Sequence, residues 1–226
     1  TVQSLFNVFL IEDEQNMLID QGPIQQRVDV GELVEEVLDG EPLDYIFVTH
    51  PDVDHTGTLH ELMETYPEAT VVAPGYGYEP ELYYLKDAMR VVEGDTLDLG
   101  EHQLTFRDAR LVDSAMTAWM TEETTGTFFT VDWLTYVVHD DEVGMYTGEI
   151  EALDRGSVVD RQQYLVGHKY SWYPYADAER LTAEIDYMIE QYEPERLAPS
   201  HAPVLREGAV EHLADWKGIV EAYAGS

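Results

Sequence analysis

The apolar positions come in short runs and stripes that alternate along the whole chain. Leu5–Ile11 and Asn16–Ile19 are two extended runs joined by Glu12-Asp13-Glu14-Gln15, a hairpin closed by Gly22-Pro23. Asp29–Leu38 has apolar residues at 30, 33, 34, 37 and 38, the spacing of a helical face, and Gly40 and Pro42 stop it. Tyr45–Val48 is a short buried strand, and a helix is expected from near Thr56 through Leu59, Leu62 and Met63 to Tyr66-Pro67. Thr70–Ala73 reads as a strand, Glu79–Met89 as a helix, and Gly94–Phe106 as a hairpin turned at Leu99-Gly100-Glu101. Strands continue at Met116–Met120, Thr127–Val131 and Tyr136–Val138. The last part is helical, Tyr175–Tyr192 and Gly208–Tyr223, around a strand-like Arg196-Leu-Ala198. Strands in series with helices inserted in each half predict an α/β (α+β) fold of two packed sheets with helices outside. No repeat or Gly/Ser-rich linker interrupts it, so one domain over 1–226 is expected.

Composition changes the picture through charge. Asp and Glu number 46 against 12 Lys and Arg, a formal net charge of −34, and only Lys86, Lys169 and Lys217 are lysines. The acidic residues interrupt periodic apolar segments instead of replacing them. Glu32, Glu35 and Glu36, for example, flank Leu33, Val34 and Val37, which argues for a folded protein with an acidic surface and against disorder. Such a surface repels itself at low ionic strength and is screened near molar salt, as in the cytoplasm of a halophile. Nucleic acid and anionic membranes are excluded as partners on the same ground. There is no cysteine, so thiolate ligands and a cysteine nucleophile are excluded. The N-terminal residues lack a basic signal-peptide region and no apolar stretch approaches a membrane span, so a cytoplasmic location is expected.

The chemistry concentrates in His50-Pro-Asp52-Val-Asp54-His55, directly after the strand Tyr45–Val48. A strand sends alternate residues to opposite faces, so it cannot aim four ligands at one point; a turn at its C-terminal end can. Two imidazoles and two carboxylates form a mixed N/O donor set suited to iron, zinc or manganese. Asp132 follows the strand Phe128–Val131, and His201 follows Arg196-Leu-Ala198. Strand ends are where layered folds carry binding sites.

With these residues in view, the sequence resembles the metallo-β-lactamase superfamily, and within it the di-iron domain of flavodiiron proteins. Asn16-Met-Leu-Ile-Asp20-Gln-Gly-Pro23 resembles that family's first hairpin, and Leu43–Val48 with His50–His55 its first ligand cluster. Gly94-Asp-Thr-Leu-Asp-Leu-Gly100 and Ala198-Pro-Ser-His-Ala-Pro203 resemble two more of its motifs. The resemblance implies an αββα four-layer sandwich and two metal ions, most suitably Fe, with Mn or Zn as alternatives. It implies His50, Asp52 and Asp132 on one metal, Asp54, His55, Asp132 and His201 on the other, and Asp132 bridging.

Three departures from the family qualify this set. Asp52 stands where the family has a glutamate. The family's middle histidine has no direct counterpart in Arg107–Ser114: an ungapped register places Asp113 there, keeping eighteen residues before Asp132, and a gapped one places Arg110 there. The ungapped register is preferred, because a guanidinium cannot ligate a cation. Finally, these 226 residues show no flavodoxin pattern, so no FMN is expected in this chain and a separate flavoprotein or small carrier is expected to donate electrons.

Three functions follow from the resemblance. The first is binding or reduction of O2 or NO at a di-iron site. The second is an oxygen sensor or adaptor without turnover, and the third is hydrolysis by a metal-bound hydroxide. Asp52, at a position where the superfamily's hydrolases usually carry a second imidazole, favours iron. The family also implies homodimers. His168, in His168-Lys-Tyr170, is expected in an aromatic-rich loop as an outer-sphere partner of the site, while Trp172, Tyr173 and Tyr175 are expected to pack.

Overall fold

A computed structural model of the chain describes residues 1–75, 85, 87–112 and 116–224. Packing divides it into two compact units. The N-terminal unit is Phe6–Asp108 with Met116–Thr124, and the C-terminal unit is Thr1–Leu5 and Ala109–Ala115 with Thr125–Ser226.

In the N-terminal unit, β2 (Phe9–Ile11) and β3 (Met17–Ile19) form the expected hairpin, with Phe9 opposite Ile19. β4 (Tyr45–Phe47), β5 (Thr70–Pro74) and β6 (Met89–Val91) then add in parallel, giving the order β2-β3-β4-β5-β6. Parallel strands covered on both faces read as continuous apolar runs rather than alternating ones, which is the pattern of Met17-Leu-Ile19 and Ile46-Phe-Val48. On one face, α1 (Arg27–Leu38) and α2 (Leu59–Thr65) bury Val30, Val34, Leu38, Leu59 and Leu62 against Leu18, Ile46, Val48 and Val71. The stripe on α1 is narrower than its sequence suggests, because Leu33 and Val37 are exposed. The helix ends at Asp39, whose left-handed φ of 46° serves as the C-cap ahead of Gly40. The same unit holds an antiparallel meander of β7 (Thr96–Asp98), β8 (Gln103–Asp108) and β9 (Ala118–Glu122). It meets the first sheet through Phe106, whose ring stands edge-on to Phe47 at 5.2 Å.

In the C-terminal unit β10 (Thr127–Val131) runs parallel to β12 (Arg196–Pro199), and β1 (Val2–Gln3) pairs antiparallel with β11 (Val138–His139). Three helices belong to it: α3 (Thr147–Lys169), α4 (Ala178–Tyr192) and α5 (Ala209–Tyr223). Tyr136, Val138, Ile150, Val158 and Ala202 make one core cluster. Trp133, Tyr170, Tyr173 and Trp216 make an aromatic one, each at most 1% exposed.

The mixed α/β content expected from the sequence is borne out. Several elements differ. The helix expected over Glu79–Met89 falls mostly outside the described residues, and Met89 itself opens a strand. The 23-residue α3 was not expected. Its buried positions, Thr147, Ile150, Val158, Gln162 and Val166, make a thin stripe that includes two polar residues. The stripe is broken where Asp154 leaves helical geometry (φ −161°, ψ 87°), and Gly148, Gly156 and Gly167 lower its helix propensity further. α4 begins at Ala178, not Tyr175, because the Asp177 side chain accepts from the amides of Glu179 and Arg180. Among the described residues no helix is long and apolar enough to cross a membrane.

Candidate metal centre

The loop after β4 is fixed by the segment after β3. The Asp20 amide donates to Phe47 O (2.9 Å), the Gln21 amide to His55 O (2.9 Å), and the Gly57 amide to Gly22 O (2.9 Å). Gly57 lies so close to that segment that a Cβ there would stand 2.1 Å from Ile24 N and 2.5 Å from Pro23 C, so only glycine fits. Within the loop the amides of His55 and Thr56 both donate to Asp52 O (2.9 and 3.1 Å), curling it back on itself. This curl is the tight turn that the four-ligand cluster requires.

It brings His50 and His55 together, their ring centroids 4.0 Å apart and both rings 1% exposed. His50 Nε2 is 3.5 Å from Asp52 Oδ2, and His55 Nε2 is 3.9 Å from Asp54 Oδ2. Asp52 is the solvent-facing member, 63% exposed against 30% for Asp54.

One residue missed in the sequence sets both imidazoles. Asp20 ends β3 in the left-handed region (φ 57°) and is buried. Its Oδ1 accepts from the Thr49 amide (3.1 Å) and the Thr49 hydroxyl (2.8 Å), and its Oδ2 lies 2.7 Å from His55 Nδ1. A carboxylate only accepts, so His55 carries its proton on Nδ1. The Thr49 proton is already donated to Asp20, so its oxygen, 3.1 Å from His50 Nδ1, must accept from that ring too. Both rings thus have Nδ1–H engaged behind them and present Nε2 towards the carboxylates, the tautomer that ligation needs. The sequence did carry a signal, since Asp20 sits in the hairpin motif that supported the resemblance, but nothing in that motif says where the side chain points.

The C-terminal unit holds Asp132 and His201. β10 shifts register against β12 after Phe129, and Val131 and Leu134 adopt positive φ (52° and 64°). For a β-branched residue this is a strained conformation, and it immediately precedes Asp132. The turn is held by the Ser200 amide on Val131 O (2.7 Å), the Thr135 hydroxyl on Asp132 O (2.6 Å) and the Tyr170 hydroxyl on the same carbonyl (2.9 Å). His201 repeats the pattern of the other two histidines. Its Nδ1 donates to Leu5 O (2.8 Å), and its Nε2 lies 3.2 Å from Asp132 Oδ1. Both side chains are nearly buried.

Asp132 Oδ2 is 2.7 Å from Lys169 Nζ. Within His168-Lys-Tyr170 the carboxylate is met by Lys169 and not by His168, the residue expected from the sequence. His168 is on the exposed side of α3 with its Nδ1 on Tyr164 O (2.7 Å) and its ring against Tyr164 (4.3 Å between centroids), while Lys169 meets the carboxylate. The tripeptide also ends a helix rather than lying in a loop. Tyr173 packs as expected, donating to Leu111 O (2.7 Å), whereas Tyr175 is 91% exposed.

Asp113 lies outside the described residues. Arg110, its rival for the missing-histidine position, pairs with Glu184 (2.9 Å) and lies 4.8 Å from the centre of the Tyr187 ring. These partners come from α4 and account for its charge.

Comparison with known proteins places this chemistry in context. The sequence profile of the Metallo-beta-lactamase superfamily matches residues 6–154. The chain is 29% identical over 127 residues to the rubredoxin-oxygen oxidoreductase of Megalodesulfovibrio gigas, covering 52% of this chain and 31% of that protein. It is 32% identical over 127 residues to the anaerobic nitric oxide reductase flavorubredoxin of Salmonella arizonae, covering 50% and 26%. A solved flavo di-iron protein from Thermotoga maritima shares the fold with a TM-score of 0.80 at 16% identity, over 95% of this chain and 52% of that one. The chain spans about a third or less of the length of these curated relatives and about half of that solved chain.

Proposed function

Because the chain belongs to the metallo-beta-lactamase superfamily, we propose that it is a non-haem di-iron protein that binds or reduces O2 or NO. Electrons come from a donor outside these 226 residues. The proposed ligands are His50, Asp52, Asp54, His55, Asp132 and His201, with Asp113 in place of the family's middle histidine. The observation that carries the reading is the common arrangement of the three imidazoles. Each of His50, His55 and His201 has Nδ1 engaged by Thr49, Asp20 or Leu5 and Nε2 within 3.9 Å of an aspartate oxygen. A buried histidine that merely packs does not need its second nitrogen aimed at a carboxylate. This donor set, imidazole and carboxylate with no thiolate, is of a type that suits iron.

A pair of ferrous ions bound here would supply two electrons to O2 or to NO. The protein's share is to hold the donors in place. Asp20 and Thr49 fix the tautomers of His55 and His50, and the Leu5 carbonyl fixes that of His201. The aspartates compensate the charge of the cations. The burial of His50, His55, Asp132 and His201 limits water, while exposed Asp52 faces solvent. Asp52 also favours redox chemistry over hydrolysis, because a carboxylate stabilises a higher oxidation state than an imidazole does. The whole of 1–226 works as one di-metal domain in this reading. The charge of −34 suits a high-salt cytoplasm, and the family suggests a homodimer.

The test is reconstitution with ferrous iron under anaerobic conditions in molar salt, followed by rapid mixing with O2 or NO. Ferric absorption that rises within the mixing experiment and bleaches on reduction supports the proposal. An iron-loaded chain inert to both gases, or a zinc-loaded chain that cleaves a model phosphodiester, overturns it.

A further inference from the structure

Lys169 is a rare residue in a significant place. Three lysines stand against 46 acidic residues in this chain, and Lys169 has its ammonium 2.7 Å from Oδ2 of the nearly buried Asp132, the carboxylate that the family resemblance implies as the bridge. Lys217, by contrast, pairs with the half-exposed Asp186 on the surface. Lys169 does not reach Asp132 as a loose surface side chain. It is the last residue of α3, and the next residue, Tyr170, donates its hydroxyl to Asp132 O (2.9 Å). Tyr170 in turn stacks on Tyr173 (4.9 Å between centroids, 19°) and stands edge-on to Trp216 (6.3 Å, 87°). The backbone at 169 is therefore anchored to the Asp132 turn by a buried aromatic cluster, and the lysine stem has a short, fixed distance to span.

The two oxygens of Asp132 consequently have different neighbours. Oδ1 faces an imidazole, His201 Nε2, at 3.2 Å, and Oδ2 faces an ammonium. A neutral imidazole and a carboxylate oxygen can share a divalent cation. An ammonium cannot: it donates protons to the oxygen that the cation needs, and it repels the cation in surroundings that screen poorly.

We propose that Lys169 is a built-in counter-cation that occupies the second oxygen of Asp132 and makes metal loading sequential. The proposal rests on the di-metal reading above. Asp132 Oδ1, beside His201, would be open to a first divalent cation, whereas Lys169 would have to leave Oδ2 before a second could share the carboxylate. In the metal-free chain the ammonium holds the carboxylate in place. Lys169 is a positioning residue whose charge sets the number of metals held at a given free concentration.

The experiment is a titration of the chain with Mn2+ in molar salt, by calorimetry and by electron paramagnetic resonance, which separates isolated ions from an exchange-coupled pair. Wild type, Lys169→Met, Lys169→Gln and Lys169→Arg are compared, with circular dichroism as the check on folding. Wild type is expected to take up one equivalent at least tenfold more tightly than the second. Lys169→Met and Lys169→Gln are expected to tighten the second equivalent at least tenfold and to give the coupled signal at lower Mn2+. Two neutral variants are used so that a folding failure in one leaves the other as the test. Lys169→Arg keeps the charge and is expected to keep the wild-type separation. Two equivalents bound with equal affinity by wild type, or neutral variants with an unchanged second affinity, overturn the inference. No uptake by any of the four forms overturns the di-metal reading itself.

Discussion

Replacing Asp20 with asparagine tests the ligand geometry without touching a ligand. Asparagine is nearly isosteric with aspartate and tolerates the left-handed φ of 57° found there, so the backbone has no reason to move. Only the hydrogen-bonding pattern changes. On one side of Asp20 stand the amide and hydroxyl of Thr49, at 3.1 and 2.8 Å, and on the other His55 Nδ1 at 2.7 Å. The Thr49 amide cannot reverse its role, so the asparagine oxygen must face Thr49 and its NH2 must face His55. His55 Nδ1 then becomes the acceptor and its proton moves to Nε2, the nitrogen needed for metal. Exchanging the partner behind a metal-binding histidine typically lowers metal affinity 10–100-fold, or about 1.4–2.7 kcal/mol. The stability cost is smaller, about 1 kcal/mol for one charge-assisted bond weakened to a neutral one. Calorimetric titration with Mn2+ reads the first effect, and long-range nitrogen–proton NMR of the metal-free rings reads the tautomer. Wild-type affinity together with an Nδ1–H tautomer at His55 in the variant would refute the reasoning.

Asp132→Ala is expected to abolish paired metal binding, read by elemental analysis, and a variant that keeps two tightly bound metals would remove Asp132 as the bridge. Asp113→Ala is expected to lose one metal equivalent. Arg110→Ala is expected to keep the metals and lower stability by about 1 kcal/mol, since the Arg110 charge is taken up by Glu184 and Tyr187; the opposite pattern would reverse the preferred alignment. The Glu142 carboxyl is held down to about 2, first by its two hydrogen bonds with Arg161 (2.6 and 2.9 Å) and then by the His139 amide. Its folded-state value lies below its ordinary 4.5, so its stabilisation is complete above about pH 4.5 and disappears as pH falls through about 2. Glu142→Gln should therefore melt earlier at pH 7, by about 1–2 kcal/mol after allowance for solvent screening, with the difference closing towards pH 2. A pH-independent difference would count against this assignment.

Much of the fold is legible because local pattern and tertiary role agree. Met17-Leu-Ile19 and Ile46-Phe-Val48 are apolar on successive residues because both faces of their strands are covered, and the turn at His50–His55 follows from four ligand types at a strand end. α3 was hidden because its core stripe uses Gln162 as a buried position and breaks at Asp154, so no window of the sequence shows a clean helical period. The outer sphere of the site was hidden for a different reason. Asp20 acts on His55 from 35 residues away and Lys169 on Asp132 from 37, and each reads locally as an ordinary charged residue. Only the turn of the backbone at Asp20 and the aromatic anchor at Tyr170 give them direction. His168 drew attention in the sequence as a possible metal-site residue, and its place on the exposed side of α3 was invisible without the helix itself.

The most direct test of the central claim is the iron content and absorption spectrum of the chain purified anaerobically in molar salt. The account predicts bound iron that rises towards two per chain as free ferrous iron is raised. It also predicts a ferric charge-transfer band that bleaches on reduction and returns with O2. A colourless protein that binds zinc alone, or no metal at any concentration, would contradict it.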